Sequence, residues 1–548
     1  MTMRTETMDG QLYRRMIASG AANLRRHAAE INDLNVFPIP DGDTGDNMLL
    51  TAQGGADTPA DAHLGECARR IGDSMLLSAR GNSGVILSQF FDGIAAGLEG
   101  LAQADAAQLS AAFRRGVEHA YRAVVEPAEG TILTVAREAA GYAAAQNPAS
   151  IDAYLNDFLY EANRSLIRTP ELLSVLKKAG VVDSGGAGLI RMVEGMLHAL
   201  DDDVSDAVPA EFGAATTAAK LDLSRFDENS ELTFGYCTEL LLRLQNAKTN
   251  VADFDIGQVT AYLQTIGDSV VAFKNGSIVK LHVHTKTPDR VLAFCQRYGE
   301  FLTVKIENMS LQHNNLETLP VPEEKPGKKP FGIVTAACGR GIQQMLRELG
   351  ADVVVDGGQC MNPSAKDFLD AFAAVNAETI FVLPNNGNVL LTARQAAALY
   401  PDADVRVLES RTLGEGHAAL TMFDAGSGDA DAIEAALNEA MQGVITAGLS
   451  TCSRDTESDS FSLYKGEYIG FVGDHILSAD NDRFGTAQRL VDGLDFTDHE
   501  ICILISGEAA DEKETEAIRE YISASRPACE LYVVDGGQKL YDYILIVE

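Results

Sequence analysis

A chain of 548 residues is too long for one core and predicts two to four domains. Its 46% hydrophobic fraction is ordinary for a globular protein, and its formal charge of −35 disfavours duplex nucleic acid and anionic membrane, which repel an acidic surface. No apolar run approaches the ~20 residues that span a bilayer, the N-terminus has no apolar signal core, and the eight scattered cysteines contain no CxxC pair; together these predict a reduced, cytoplasmic protein without an integral membrane segment.

Residues 1–200 are rich in Ala and Leu, with apolar positions at helical spacing in MIASGAANLRRHAAEIN, LSAAFRRGVEHAYRAVV and IDAYLNDFLYEANRSLI. That period predicts a helical domain of about eight helices joined by Gly/Asp-rich loops. Residues 201–230 are acidic, small and aperiodic, and read as a linker. Between 231 and 318, LTFGYCTELLLRLQ, SVVAFKNGSIVKLHVHT and PDRVLAFCQRYG predict strands and helices of a small α+β domain, with NGS at 275–277 as a hairpin turn. A Pro- and charge-rich linker, 319–330, leads into 331–548, where strand-like runs (FGIVTAA, ADVVVDGG, TIFVLPNN) alternate with helical segments. That alternation predicts an α/β domain with a mostly parallel sheet. VVDGGQ occurs twice, at 354–359 and 533–538, and hints at a repeated strand–turn unit.

The polar turns of the helical domain carry the candidate chemistry. In NVFPIPDGDTGDNM, Asp41 and Asp43 flank Gly42, so a tight turn can aim both carboxylates at one point, and Asp46 can join from the first turn of the next helix. Three carboxylates with no base nearby repel one another unless a divalent cation relieves them, and Mg²⁺ takes such oxygens. The competing reading is an Asx-rich turn and helix cap. In ARGNSG, Gly81, Asn82 and Ser83 open an apolar helix, where backbone amides and the helix dipole can hold phosphate, or simply cap the helix. Gly130 and Thr131 in EGTIL, and Asp183 before Gly185 and Gly186 in DSGGAG, open two further helices. In an antiparallel bundle the starts of alternate helices lie at one end, so the four turns can converge on one nucleotide. No GxxxxGK[ST] is present.

In KLHVHT, His282 and His284 are two apart on a predicted strand, so both imidazoles can reach one Zn²⁺, with Cys237 the candidate third ligand and His313 a possible fourth. The alternatives are a solvent-facing histidine pair and a core cysteine. Cys360 reads as loop or core packing. Arg340, Lys366 and Arg394 are candidate docking cations and equally ordinary surface residues.

These motifs, in this order, resemble the ATP-binding domain of dihydroxyacetone kinases over residues 8–200. LNVFPIPDGDTG with two further domains resembles more closely the ATP-binding subunit of bacterial fatty acid kinase over nearly the whole chain, and GGQCMNPS and VLPNNGNV resemble pieces of DegV-like lipid-binding proteins. The resemblance implies an all-α helical barrel that binds ATP through two Mg²⁺. Asp41 and Asp43 would be the firm ligands; Asp46 stands where many relatives have threonine, and Asn35 would join or order the metal site. It further implies that Thr44, Asn47, Gly81, Asn82, Ser83, Gly130, Thr131, Asp183, Gly185 and Gly186 line the nucleotide pocket, and that Cys237, His282 and His284 hold a Zn²⁺ that is either structural or close to the chemistry. The implied reaction phosphorylates the carboxylate of a fatty acid presented by a separate DegV-type carrier, giving acyl phosphate for phospholipid synthesis, in a cytoplasmic homodimer whose last domain docks the carrier. The alternatives are a dihydroxyacetone-type acceptor and a non-catalytic nucleotide- or metal-sensing regulator.

Overall fold

The computed structural model describes the chain apart from residues 1–4, 36–41, 201–235, 252–253, 255, 276, 309–327, 358–361, 428, 458–460 and 498. Both expected linkers, 201–230 and 319–330, lie wholly or largely outside the described residues. The chain divides into two compact units, Met1–Pro209 with Lys328–Glu548, and Ala210–Gly327.

Among the described residues, the amino-terminal part of the first unit has nine helices: α1 (Gly10–Asn32), α2 (Thr44–Ala56), α3 (Leu64–Ser78), α4 (Gly81–Gly97), α5 (Ala106–Arg122), α6 (Ile132–Ala145), α7 (Ile151–Leu172), the short α8 (Ser174–Ala179) and α9 (Ser184–His198). Their starts are chemically marked. Asp9 accepts from the Leu12 amide at 2.8 Å, and Asp105 with Gln108 forms a capping box on α5. Neighbours pack in sequence, α2 on α4, α4 on α5, α5 on α6, α6 on α7, and α9 returns to α1, so the ring closes. The α1–α9 crossing is tight because it is glycine against glycine: a Cβ on Gly195 would lie 2.7 Å from the Gly20 Cα. The closed ring buries Tyr13, Met16, Phe91, Phe113, Tyr154 and Phe158, with Phe113 edge-on to Phe90, Tyr154 and Phe158. A two-stranded ribbon, β1 (Thr7–Asp9) with β2 (Gln103–Asp105), was not expected; three-residue strands are too short to show a period.

The second unit is an antiparallel four-stranded sheet in the order β4–β5–β3–β6, from β3 (Tyr236–Leu244), β4 (Gly267–Asn275), β5 (Ile278–Thr285) and β6 (Gly299–Asn308), with helices α10 (Ile256–Ile266) and α11 (Pro288–Cys295). Leu240, Leu242, Leu244, Val279, Leu281 and Val283 alternate along β3 and β5 into one core with Val259, Leu263 and Val291. The hairpin at Asn275 is as expected, with Asn275 opposite Ile278.

Among the described residues, the carboxy-terminal part of the first unit has two main sheets and a two-stranded ribbon, Thr456–Glu457 with Ser462–Leu463. The first is all parallel, β10–β9–β7–β8, from β7 (Lys329–Ala336), β8 (Val353–Val355), β9 (Ala377–Leu383) and β10 (Asp404–Val407). Helices α12 (Arg340–Glu348), α13 (Ala365–Val375) and α14 (Leu390–Ala398) connect its strands. The second, of six strands, is antiparallel at four of its five pairings, so the mostly parallel expectation holds for the first sheet alone. A buried run such as ILISG is equally hydrophobic in either arrangement, so direction was not readable from it. The two VVDGGQ copies both end edge strands, β8 and Glu530–Asp535, each paired parallel to its neighbour.

Within this unit the parallel-sheet helices sit on the helical ring. Gln395 of α14 is buried against α4, donating to the Leu76 carbonyl at 2.6 Å and accepting from Gln89 at 3.0 Å. The Ala365 amide at the start of α13 donates to the Ala79 carbonyl at 3.3 Å.

Candidate active site

Contacts between successive helix starts bring the four polar turns to one end of the ring. The Ser184 hydroxyl, first in α9, donates to the Thr44 hydroxyl, first in α2, at 3.2 Å. The Asp183 carboxylate, which caps α9 through Gly186 at 2.6 Å, also accepts from the Ile132 amide at the start of α6. Gly81 opens α4 against Asn47 of α2: its φ is +56°, and a Cβ there would lie 2.5 Å from Asn47 Nδ2. Glycine is favoured on both counts, since the left-handed backbone suits it and a side chain would have to displace the buried Asn47 amide.

Asp43 is the N-cap residue of α2, yet its carboxylate makes no capping bond to that helix. It accepts instead from the side-chain amide of Asn362, in the loop before α13. Around this pair three amide oxygens are buried without a hydrogen-bond partner among the described residues: Asn47 Oδ1, Asn82 Oδ1 and Asn362 Oδ1. Asn47 and Asn362 are only 3% and 2% exposed. Buried acceptors left empty are rare and costly, and amide and carboxylate oxygens are the hard donors that Mg²⁺ takes. Residues 36–41, including Asp41, lie outside the described residues.

Several expected site residues also make hydrogen bonds or close contacts that hold the turns. Asp46 accepts from Asn32 Nδ2 at 2.9 Å while Asn32 Oδ1 accepts from the Gly45 amide at 2.7 Å, so Asn32 clasps α2 onto α1. The Thr44 hydroxyl donates to Asn35 Oδ1 at 2.7 Å, and Thr44 is buried. Thr131 caps its own turn, donating to the Ala128 carbonyl at 2.8 Å. Gly130, with φ +86°, donates its amide to Thr134 Oγ1 at 2.8 Å. Gly185 and Gly186 face Ile132 and Val135 at 3.2 and 2.9 Å from where a Cβ would sit, which makes them packing glycines between α9 and α6. Asn82 donates to Asn388 Oδ1 at 3.3 Å, and Ser83 is half-buried beside it. Asn32 and Asn362 were missed. Their neighbours at the site are far off in sequence, and asparagine carries no local period.

Burial pushes the Asp183 carboxyl up to about 6, against the lowering pull of the Gly186 and Ile132 amides. The folded protein therefore keeps this proton through a range in which the unfolded chain, near 3.8, loses it. Stability from this group is present below the unfolded value and is lost as pH rises through about 6. Asp183→Asn is expected to flatten the fall in unfolding free energy between these values by up to about 3 kcal/mol. Urea titrations of both proteins at several pH values measure it; an unchanged slope would mean that Asp183 ionises in the ordinary range.

In the second unit, register places Cys237 opposite His284 and Glu239 opposite His282, while β4 brings Asp268 opposite His284. The side chains of Cys237, His282 and His284, and all of His313, lie outside the described residues. Among the described residues no group of three or more His, Cys, Asp or Glu is placed to hold a metal, and no helix is long and apolar enough to cross a membrane. Arg394 is ion-paired to Glu409.

Comparison with known proteins agrees with this layout. Residues 38–198 match the DAK2 domain, 233–316 the middle domain of FakA-like fatty acid kinase proteins, and 332–548 the C-terminal domain of the same FakA-like proteins. The chain is 39% identical to Protein YloV of Bacillus subtilis (strain 168) over the full length of both, and 35% identical to an uncharacterized protein of Staphylococcus aureus (strain N315) over 99% of both. Among solved structures, the fatty acid kinase (Fak) B3 protein of Streptococcus pneumoniae, loaded with linoleic acid, aligns over 40% of this chain and 99% of its own at 12% identity and TM-score 0.30. Full-length identity to YloV, with all three domain types in order, shows that the chain belongs to the FakA-like family of fatty acid kinase proteins.

Proposed function

We propose that this chain transfers the γ-phosphoryl group of ATP to the carboxylate of a fatty acid presented by a separate DegV-type carrier. The observation that carries the reading is the meeting of four helix starts at Asp43, with Asn47, Asn82 and Asn362 carrying buried amide oxygens that have no hydrogen-bond partner among the described residues. Asp43, with Asp41, would hold magnesium, and Asn47 and Asn82 would present their oxygens beside it; Asp46, tied to Asn32, would hold the turn. The amides opening α4 would face the phosphates, where the helix dipole favours negative charge. When bound, two magnesium ions neutralise the triphosphate and the charge of the transferring group. A carboxylate oxygen of the acceptor attacks the γ-phosphorus, the bond to the β-phosphate bridging oxygen breaks, and acyl phosphate and ADP leave. The acceptor is already ionised at neutral pH, so this chain need supply no general base.

The reading extends to domains 1–200, 231–318 and 331–548, the last docking the carrier, in a cytoplasmic homodimer. It also assigns Zn²⁺ to Cys237, His282 and His284, since positions opposite and two apart in an antiparallel sheet share a face. The experiment combines Mg²⁺, ATP and fatty-acid-loaded carrier, traps acyl phosphate with hydroxylamine, and measures zinc in the same protein. Acyl hydroxamate that requires the loaded carrier is the expected result; ATP hydrolysis indifferent to the carrier would end the kinase assignment. Cys237→Ser is expected to lose the zinc, and a wild-type protein without bound zinc would end that part.

A further inference from the structure

We propose that the carboxy-terminal domain completes the nucleotide site in cis, with Asn362 as a positioning residue that holds the Asp43 carboxylate from the opposite domain. The proposal rests on the reading of the Asp43 turn as a cation site.

Two loops of the parallel sheet reach the helical ring. Both lie at the carboxyl ends of strands, where α/β sheets commonly place ligand-contacting loops. The first, between β8 and α13, carries Asn362; the second, between β9 and α14, carries Asn388. Asn362 donates to Asp43, while its own backbone carbonyl accepts from an Arg80 guanidinium nitrogen at 2.8 Å. A second guanidinium nitrogen of Arg80 stands 3.7 Å from Asp367 in the first turn of α13. Asn388 accepts from the Asn82 amide at 3.3 Å. The two glycine turns of the kinase site, around Asp43 and around Gly81, are thus each met by an asparagine from the other domain.

Asn362 is nearly fully buried and its Oδ1 has no hydrogen-bond partner among the described residues. A residue chosen only to join two domains needs no such empty acceptor. An apolar side chain of similar size would fill the space without a buried unsatisfied oxygen. A single amide that orients the carboxylate and keeps a buried oxygen without a partner among the described residues is suited to a site built for a cation. Partners that fix a ligand's orientation without forming the whole site typically set metal affinity by one to two orders of magnitude. By this arrangement, nucleotide affinity depends on the seating of the carboxy-terminal domain.

The test uses the full chain and binding of Mn²⁺ by electron paramagnetic resonance and of a fluorescent ADP analogue by anisotropy, with no acceptor present. Asn362→Ala is expected to weaken Mn²⁺-dependent analogue binding about 10-fold. Asn362→Asp is expected to bind weakly at low Mn²⁺ and to recover as Mn²⁺ rises, because a second carboxylate repels Asp43 until a cation joins them. Gln395→Ala removes a buried contact of the same interdomain seam away from Asp43, and is expected to stay within about 2-fold of wild type. Circular dichroism establishes folding; should Asn362→Ala be unfolded, the Mn²⁺ dependence of Asn362→Asp decides alone. Equal affinity of wild type and the folded Asn362 variants overturns the proposal, and so does an equal loss in Gln395→Ala. A wild-type protein that binds neither probe removes the cation-site reading and this proposal together, whereas intact wild-type binding with indifferent Asn362 variants removes this one only.

Discussion

Asp43→Ala is expected to lower carrier-dependent ATP turnover by about 10³-fold, or about 4 kcal/mol of transition-state stabilisation, and to cost about 1–3 kcal/mol of stability through the buried Asn362 amide left without its acceptor. The two halves of that expectation come from one structural fact. The Asp43 carboxylate does not cap α2, so its removal forfeits little of the roughly 1 kcal/mol that a bonded N-cap contributes. Its side-chain partner Asn362 is a buried amide that would lose an acceptor. The function lost is larger, because phosphoryl transfer leaves the protein little to do beyond positioning and neutralising charge. Asp46→Ala should show the reverse balance. It breaks the 2.9 Å bond from Asn32 that ties α2 to α1, so its melting temperature should fall while turnover suffers less. Coupled ADP-release assays beside thermal melts read both quantities. Near-wild-type turnover in Asp43→Ala would remove Asp43 from the reaction, and with it the kinase site proposed here.

What was legible in the sequence was what is local. Helical period along α1, α5 and α7 reports a one-sided core, and the Gly/Asp turns announce themselves by residue type within a few positions. The sequence did not reveal which of those turn residues also hold the ring together. Thr44 and Asp46 have side chains that would serve a ligand equally well, yet their hydrogen bonds go to Asn35 and Asn32. Gly185 and Gly186 look like phosphate-loop glycines, and a Cβ on either would meet Ile132 or Val135, a packing role that residue type alone does not announce. Asn362 was beyond reach for another reason. Its partner lies 319 positions earlier, and no periodicity carries information over that distance.

Gly45→Ala should be the most damaging small substitution near the site. A Cβ at Gly45 would lie 2.2 Å from the Ala28 carbonyl oxygen and 2.9 Å from two further backbone atoms of the same residue. A flexible side chain could swing aside; a helix backbone cannot, so α1 and α2 must separate. That separation strains the Asn32 clasp, whose two bonds, to the Gly45 amide and to Asp46, are 2.7 and 2.9 Å long. Overpacking of this kind costs about 2–3 kcal/mol, which lowers the melting temperature by about 5–10 °C in a domain of this size. Asp43 and Thr44 immediately precede Gly45, so they move with it, and an ångström of misplacement at reacting groups can cost about 10²-fold in rate. Gly141→Ala supplies the contrast. It lies inside α6 with nothing within 4 Å of its added Cβ, so the same substitution should raise stability by about 0.5–1 kcal/mol through helix propensity. Opposite shifts in the two melts would trace the effect of Gly45 to the α1–α2 approach; a Gly45→Ala protein that melts with wild type would show that the two helices can part without loss, and that the Asp43 turn does not depend on their closeness.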